Sequence, residues 1–253
     1  MNPSATNSSR TAGKNIKKEM SMEHIGLAIM WYAIFVVSTT FHEASHAFAA
    51  MKLGDLTAYH GGQVTLDPLP HIRREPFGMV IIPIVSFVLG GWMIGWASTP
   101  FDPFWAHTYR RRAALMALAG PLANVILVLT AALAIRLGML FGIFYSPESV
   151  SFHQITATTS AGFTNSAAIL ISILFSLNLI LLVFNLIPVP PLDGSNIIML
   201  FLSDRAAERY NRFLAQPTVQ IVGLIIAWQS FGAVFHPIHR MALNILYPGA
   251  GYH

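Results

Sequence analysis

Residues 25–51 read IGLAIMWYAIFVVSTTFHEASHAFAAM, and this stretch decides the fold class. Glu43 is the only formally charged residue in it. A helix of this length rises about 40 Å, whereas the hydrocarbon core of a bilayer is about 30 Å thick. The stretch is therefore predicted to form a transmembrane helix.

The composition of the whole chain agrees with a membrane protein. Of the 253 residues, 54% are hydrophobic and only 10% are charged, whereas soluble domains carry about 25% charged residues. An ordinary soluble enzyme and a disordered protein are both excluded on this ground. The chain has no cysteine, so disulfides, thiolate metal sites and a cysteine nucleophile are excluded as well. The net charge of +4 is small and its positive residues are clustered, which is typical of topology signals and does not indicate nucleic-acid binding.

Further apolar runs divide the rest of the chain. They lie at residues 77–97, 113–144, 166–187 and 217–236. We predict an all-α polytopic membrane protein, a bundle of about 4–6 transmembrane helices with one membrane-embedded domain over residues 25–236. Residues 1–24 are predicted to be a flexible polar arm, and residues 237–253 an interfacial tail. The polar, glycine-containing residues 52–76 predict a short β-hairpin or loop after the first helix.

Three polar side chains in the first run carry the chemistry. His42, Glu43 and His46 form the motif His-Glu-Ala-Ser-His. On a helix, positions i and i+4 share a face, about 5–6 Å apart at Cβ. Two imidazoles placed in this way bind one Zn²⁺, and the adjacent glutamate takes the proton of a water at the metal. The alternative is a pair of interfacial histidines beside an isolated acid, which is costly because all three would be buried in lipid without a metal.

A catalytic zinc site needs a third protein ligand. Asp193 is the only carboxylate besides Glu43 that lies inside or against an apolar run. It follows three prolines within residues 188–191, and irregular backbone at membrane depth is tolerated only where protein or water surrounds it. We therefore predict Asp193 as the third ligand. The alternative is that Asp193 caps the next helix in a loop outside the bilayer.

These motifs resemble those of the site-2 protease family, the intramembrane zinc metalloproteases of peptidase family M50. The His42 motif matches the family's zinc-binding helix, and residues 185–194, NLIPVPPLDG, resemble the second motif, whose aspartate is the third zinc ligand. Residues 119–124, AGPLAN, resemble the helix between the two motifs. The stretch 54–72, which contains TLDPLPHI, is similar to the compact prokaryotic branch without a PDZ domain. The resemblance covers roughly residues 22–203.

The resemblance implies a reaction and its participants. A peptide bond in a membrane-embedded protein segment would be hydrolysed, with Zn²⁺ as cofactor and Glu43 as general base. Asn185 and Asn124 become candidates for hydrogen bonding to the substrate or the oxyanion, the alternative being ordinary helix–helix contact. The implied partners are a membrane-anchored protein substrate and the lipid bilayer, and the implied location is a prokaryotic cell membrane. The competing functions are a metal-ion or proton transporter that uses the same buried cluster and an inactive membrane scaffold.

Convergence of the zinc ligands restricts the topology. His42 lies about 25 Å along the first run, toward its C-terminal end, and Asp193 lies just past the end of the run 166–187. These two ends must face the same side of the membrane. A full crossing by residues 77–97, in addition to the crossing by 113–144, would place them on opposite sides. A re-entrant segment at 77–97 is therefore favoured. Lys52 and Arg110–Arg112 then share one face, cytoplasmic by the positive-inside rule. The basic N-terminal arm would lie on the other face, which the same rule disfavours.

Overall fold

The computed structural model describes the backbone of residues 4–252 and the side chains from residue 22 onward. Its described residues form helices and two isolated β-bridges, without a strand. The helices are α1 (Ser4–Leu53), α2 (Thr57–His60), α3 (Pro68–Arg74), α4 (Ile82–Gly90), α5 (Pro103–Thr108), α6 (Arg110–Leu140), α7 (Phe163–Asn185), α8 (Gly194–Ile197), α9 (Asp204–Leu214) and α10 (Pro217–Leu246). A π-helical turn, Phe77–Ile81, leads directly into α4, and a 3₁₀ turn, Ile198–Leu200, follows α8. The predicted all-α class is confirmed.

Four of the described helices are long and apolar enough to cross a membrane. They are residues 22–53 of α1, together with α6, α7 and α10. The predicted polar arm, residues 1–24, overlaps the beginning of α1, which starts at Ser4. Residues 1–3 lie outside the described part, and the flexibility of the arm stays a prediction. At the other end, the boundary predicted at residue 237 falls inside α10, because the helix continues through Pro237 to Leu246.

The bundle core is formed where α6 packs between α1 and α7. One stripe of α6 is buried and consists largely of small residues, which let neighbouring helix backbones approach closely. Its members include Ala114, Ala117, Gly120, Ala123 and Ala131. The C-terminal half of α10 completes a second cluster, in which Phe235 and Leu243 pack with Phe175 of α7.

The segment after α1 differs from the predicted hairpin. Residues 52–76 contain the short helices α2 and α3 in place of strands. Asp67 caps α3, since its side chain accepts the backbone N–H of Leu69, and Pro68 occupies the first helical position. Both residues are helix-start signals. The glycine pair Gly61-Gly62 only ends α2, and Gly62 takes the left-handed φ of 70° that favours glycine.

Residues 77–98 fold back on themselves. The helical part, Phe77–Gly90, is about 21 Å long, too short to cross a 30 Å core as a helix. It ends at Gly91, whose φ of 74° turns the chain round. The returning chain runs beside the helix, with the Trp96 N–H donating to the Gly78 carbonyl at 3.2 Å and the Ile94 N–H donating to Ser86 Oγ at 3.0 Å. We call residues 77–98 the folded-back segment.

Hydrogen bonds at the end of α1 fix the chain that follows the folded-back segment. The carboxylate of Asp55 accepts from the backbone N–H and the hydroxyl of Thr57 and from the backbone N–H of Asp102. Burial raises the pKa of the Asp55 carboxyl, but these hydrogen bonds outweigh it and hold the pKa below its ordinary value. Arg112 of α6 donates to the carbonyl of Leu53 and caps α1. The chain entering α5 is thereby tied to the end of the helix that carries the histidines.

Candidate metal centre

The three predicted metal ligands lie together. His42 and His46 stand one turn apart on α1, and their Nε2 atoms are 3.0 Å apart. Oδ2 of Asp193 lies 3.1 Å from Nε2 of His42, and Oδ1 lies 3.3 Å from Nε2 of His46. Tetrahedral zinc with bonds of about 2.0–2.1 Å places neighbouring ligand atoms roughly 3.3–3.4 Å apart. The separations therefore fit a single zinc ion.

The far side of each imidazole determines which nitrogen faces the metal. Nδ1 of His42 lies 2.7 Å from Oδ1 of Asn124, and Nδ1 of His46 lies 2.8 Å from the carbonyl oxygen of Met116. Both partners are acceptors, so each Nδ1 carries the proton and each Nε2 turns its lone pair toward Asp193. Two lone pairs and a carboxylate that converge in this way repel one another unless a cation lies between them. The donor set and its orientation fit Zn²⁺.

A sharp return of the chain after α7 carries Asp193 to the histidines. Gly194 packs so closely under the end of α7 that a Cβ there would collide with the carbonyls of Leu186 and Ile187. Asp193 precedes α8, but its side chain makes no capping hydrogen bond to that helix. The carboxylate is instead directed at His42 and His46, with 18% of the side chain exposed. The alternative of a helix cap therefore does not describe this aspartate.

Gly120 of α6 packs against the two imidazoles. A Cβ at this position would collide with the Nε2 atoms of both His42 and His46. The absence of a side chain therefore leaves the space in which the metal would be held. The AGPLAN motif resembled a family helix, but its glycine was not predicted to be part of the site. The only hint was a glycine directly before Pro121 in the middle of an apolar run.

Glu43 lies beside the metal ligands and is held by a residue that the sequence analysis did not find. The hydroxyl of Thr99 is 2.7 Å from Oε2 of Glu43 and 2.9 Å from its backbone carbonyl oxygen, and it donates its proton to one of them. Glu43 is only 5% exposed. Ser98, next in the chain, donates to Oε1 of Glu75, and its carbonyl accepts from Arg74. No motif marks Thr99, because its contact with Glu43 depends on the course of the folded-back segment.

The two predicted asparagines occupy different places. Asn185 lines the metal cavity, about 190 Å³ in volume, together with Glu43 and Asp193. Asn124 is fully buried behind His42, and its amide nitrogen donates to Oδ1 of Asn178 at 2.9 Å. These contacts leave Asn124 no exposed atom with which to reach a substrate, contrary to the prediction of substrate or oxyanion contact.

A hydrogen-bonded chain continues behind the metal centre. Nδ2 of Asn178 donates to Oγ of Ser38 at 2.9 Å and to the carbonyl of Leu174 at 2.8 Å. The chain from His42 through Asn124 and Asn178 to Ser38 thus joins α1, α6 and α7. Buried polar groups of this kind are costly when unpaired, so the closed chain holds the three helices in one arrangement.

A larger apolar cavity adjoins the metal cavity. Its volume is about 620 Å³, and its walls include Phe35 of α1, Trp92 and Trp96 of the folded-back segment, and Trp228 of α10. Pro191 lines both cavities. The loop that carries Asp193 therefore borders both cavities.

Comparisons with known proteins agree with this geometry. Residues 30–229 match the family model described as peptidase family M50. The chain is 35% identical over 175 residues to YwhC of Bacillus subtilis, which is named as a presumptive zinc metalloprotease. The aligned region covers 68% of this chain and 69% of YwhC. The chain is 31% identical over 173 residues to Rip2 of Mycobacterium tuberculosis, which carries the same designation, over 68% of this chain and 57% of Rip2. No solved structure matches the chain.

Proposed function

The chain belongs to peptidase family M50 and is a zinc metalloprotease, and we propose that it cuts a peptide bond in a membrane-embedded segment of its protein substrate. The observation that carries this proposal is that Asp193, in the turn after the apolar helix α7, converges with His42 and His46 of the apolar helix α1 beside Glu43. His42 lies about 16 Å from the C-terminal end of its span. A transporter that uses the same cluster is not favoured by the family or by the relatives.

The ligands and the general base have separate roles in the proposed reaction. His42 and His46 would hold zinc through Nε2, and Asp193 through its carboxylate. When bound, zinc supplies a Lewis acid that lowers the pKa of a coordinated water to about 7 and polarises the scissile carbonyl. The Glu43 carboxylate takes the proton from the attacking water and returns it to the leaving amine. The Thr99 hydroxyl lies 2.7 Å from Oε2 of Glu43, and a hydrogen bond donated there would fix the carboxylate and leave Oε1 without a bond from this hydroxyl.

We assign the two asparagines different roles. Asn185 lines the metal cavity, and no hydrogen bond of its side chain lies within the described part of the chain. Its amide N–H is thus available to donate to the oxyanion that forms on the substrate carbonyl. Asn124 is a positioning residue, because it acts through the Nδ1 proton of His42.

The apolar cavity supports a substrate that enters from the lipid. Aromatic side chains of the folded-back segment and α10 form its walls, and Pro191 connects it with the metal cavity. We propose that the folded-back segment is re-entrant, entering the membrane and leaving it on the same side. The ends of α1 and α7 then share a side with Lys52 and Arg110–Arg112, which the positive-inside rule assigns to the cytoplasm. The protein would be a multi-pass protein of a prokaryotic cell membrane.

A comparison of Glu43→Gln with the parent enzyme tests the proposed function. The full chain is reconstituted with a library of substrates in which each apolar segment is presented either as a membrane span or as a soluble peptide. Because Gln keeps the shape but removes the base, we expect zinc content to stay at the parental level while cleavage of membrane spans falls by at least about 1000-fold. Glu23→Gln, an exposed substitution on the same helix, is the matched control and should cleave normally.

Three outcomes would contradict the proposal. Equal cleavage by Glu43→Gln would remove Glu43 as the base. Cleavage of soluble peptides only would leave a metalloprotease but refute the membrane-embedded substrate. No cleavage by a zinc-loaded parent would favour the inactive scaffold.

A further inference from the structure

A second polar cavity lies at the end of the bundle away from the metal centre. Its volume is about 550 Å³, and it lies between the C-terminal part of α10 and the connection from α6 to α7. The connection supplies Ser151 and Phe152, and α10 supplies His236, His239 and Arg240. This cavity takes no part in the proposed proteolysis.

The basic residues of this cavity share one face of α10. Positions 236, 239 and 240 are spaced i, i+3 and i+4, and side chains with this spacing are neighbours on a helix. None of the residues that line the cavity carries a carboxylate. Within the described residues, Arg240 has no ion-pair partner. Among the described residues, the cavity thus holds a permanent positive charge that no lining carboxylate balances.

Two buried polar atoms at the cavity lack partners. Nε2 of His239 and Oγ of Ser151 are both inaccessible to solvent and have no hydrogen bond in the described structure. The His239 ring is fixed, because it stacks on Phe235 with centroids 5.3 Å apart and an interplanar angle of 15°. Both side chains line the cavity and each has a polar group without a partner, so each has hydrogen-bonding capacity left for a ligand there.

Tyr252 gives the cavity a fixed wall. It lines the cavity, and its backbone N–H and carbonyl are both bonded to the side chain of Asn244. The Tyr252 hydroxyl donates to the carbonyl of Pro147 at 2.7 Å. Three parts of the chain thus border the cavity, which leaves His236 and Arg240 exposed.

The depth of the cavity matches the boundary between lipid and water. Arg240 lies 23 residues after Pro217, which is about 35 Å along α10, whereas the hydrocarbon core is about 30 Å thick. Phe152, Phe235 and Leu243 supply an apolar wall beside the basic face. We propose that this cavity binds a phosphate-bearing anion, bonded by Arg240, His239 and Ser151, at the level of the lipid headgroups.

The test measures binding, independently of proteolysis. The purified full chain in neutral detergent is titrated with phosphatidylglycerol, with phosphatidylcholine and with inorganic phosphate, and retained molecules are counted by native mass spectrometry. We expect the parent to retain one more phosphatidylglycerol than Arg240→Gln does, and the affinity for it to fall at least about tenfold in the variant, since a charge-assisted hydrogen bond is lost. Arg209→Gln removes the same charge from an exposed position on α9 and should bind like the parent.

A second variant keeps the test decisive if Arg240→Gln fails to fold. Ser151→Ala removes only a hydroxyl from the connection, and it should weaken the same binding event. Binding of inorganic phosphate alone, with the same dependence on Arg240, would identify a soluble anion as the source in place of a lipid. Equal retention of phosphatidylcholine, or identical binding by Arg240→Gln, Ser151→Ala and Arg209→Gln, would overturn the proposal.

Discussion

Replacement of Gly120 by alanine should remove the metal without unfolding the helix. The added Cβ would lie 2.5 Å from Nε2 of His42 and closer still to that of His46. Ordinary van der Waals contact begins at 3.4 Å, so the His42 imidazole alone would have to move by about 0.9 Å. Metal–ligand distances must stay within about 0.2 Å of their usual values. We therefore expect zinc affinity to fall by more than about 100-fold, which exceeds the effect typical of outer-shell changes.

The same substitution separates metal loss from instability. Alanine favours a helix interior over glycine by about 1 kcal/mol, so the change should not weaken α6 through helix propensity. Gly26→Ala is the matched control, because no atom lies within 4 Å of its added Cβ. There are two readouts. Zinc content is measured by inductively coupled plasma mass spectrometry after dialysis against increasing concentrations of a chelator, and helicity is measured by circular dichroism. A folded Gly120→Ala protein with parental zinc affinity would refute the inferred position of the metal.

Two further predictions concern residues that support the site. Thr99→Val removes the hydroxyl donor to Glu43, and we expect kcat to fall about tenfold or more while zinc content stays unchanged. Thr99→Ser keeps a hydroxyl and should recover the activity. Loss of activity in Thr99→Ser as well would indicate a merely structural role. Asn124→Ala removes the acceptor behind His42, and we expect zinc affinity to fall about 10–100-fold in the chelator titration. Parental affinity in Asn124→Ala would show that His42 needs no such support.

The sequence predicted the parts of the site that depend on local geometry. His42 and His46 are placed by helical periodicity alone, and Asp193 by the rarity of carboxylates in apolar runs. Gly120 and Thr99 were missed because their roles arise from contacts with residues far away in the chain. Thr99 reaches Glu43 across 56 positions, and no spacing rule connects the two.

The errors in the fold have specific physical causes. The glycine pair in residues 52–76 was weighed above the capping residue Asp67 and the adjacent Pro68, although those two favour a helix start. The boundary at residue 237 was placed at a proline, but α10 continues through Pro237, and the buried Leu243 and Leu246 hold the following turns in place.

The burial of the metal ligands limits the shape in which a polypeptide reaches them. An α-helix surrounds its peptide bonds with a layer of side chains 10–12 Å wide, whereas His42, Glu43 and His46 are each only 5–6% exposed. A peptide bond thus meets the histidines only after its own helical hydrogen bonds have opened. Under the proposed function, the membrane spans cleaved fastest are therefore those interrupted by glycine or proline near the scissile bond, because they unwind at little cost in free energy.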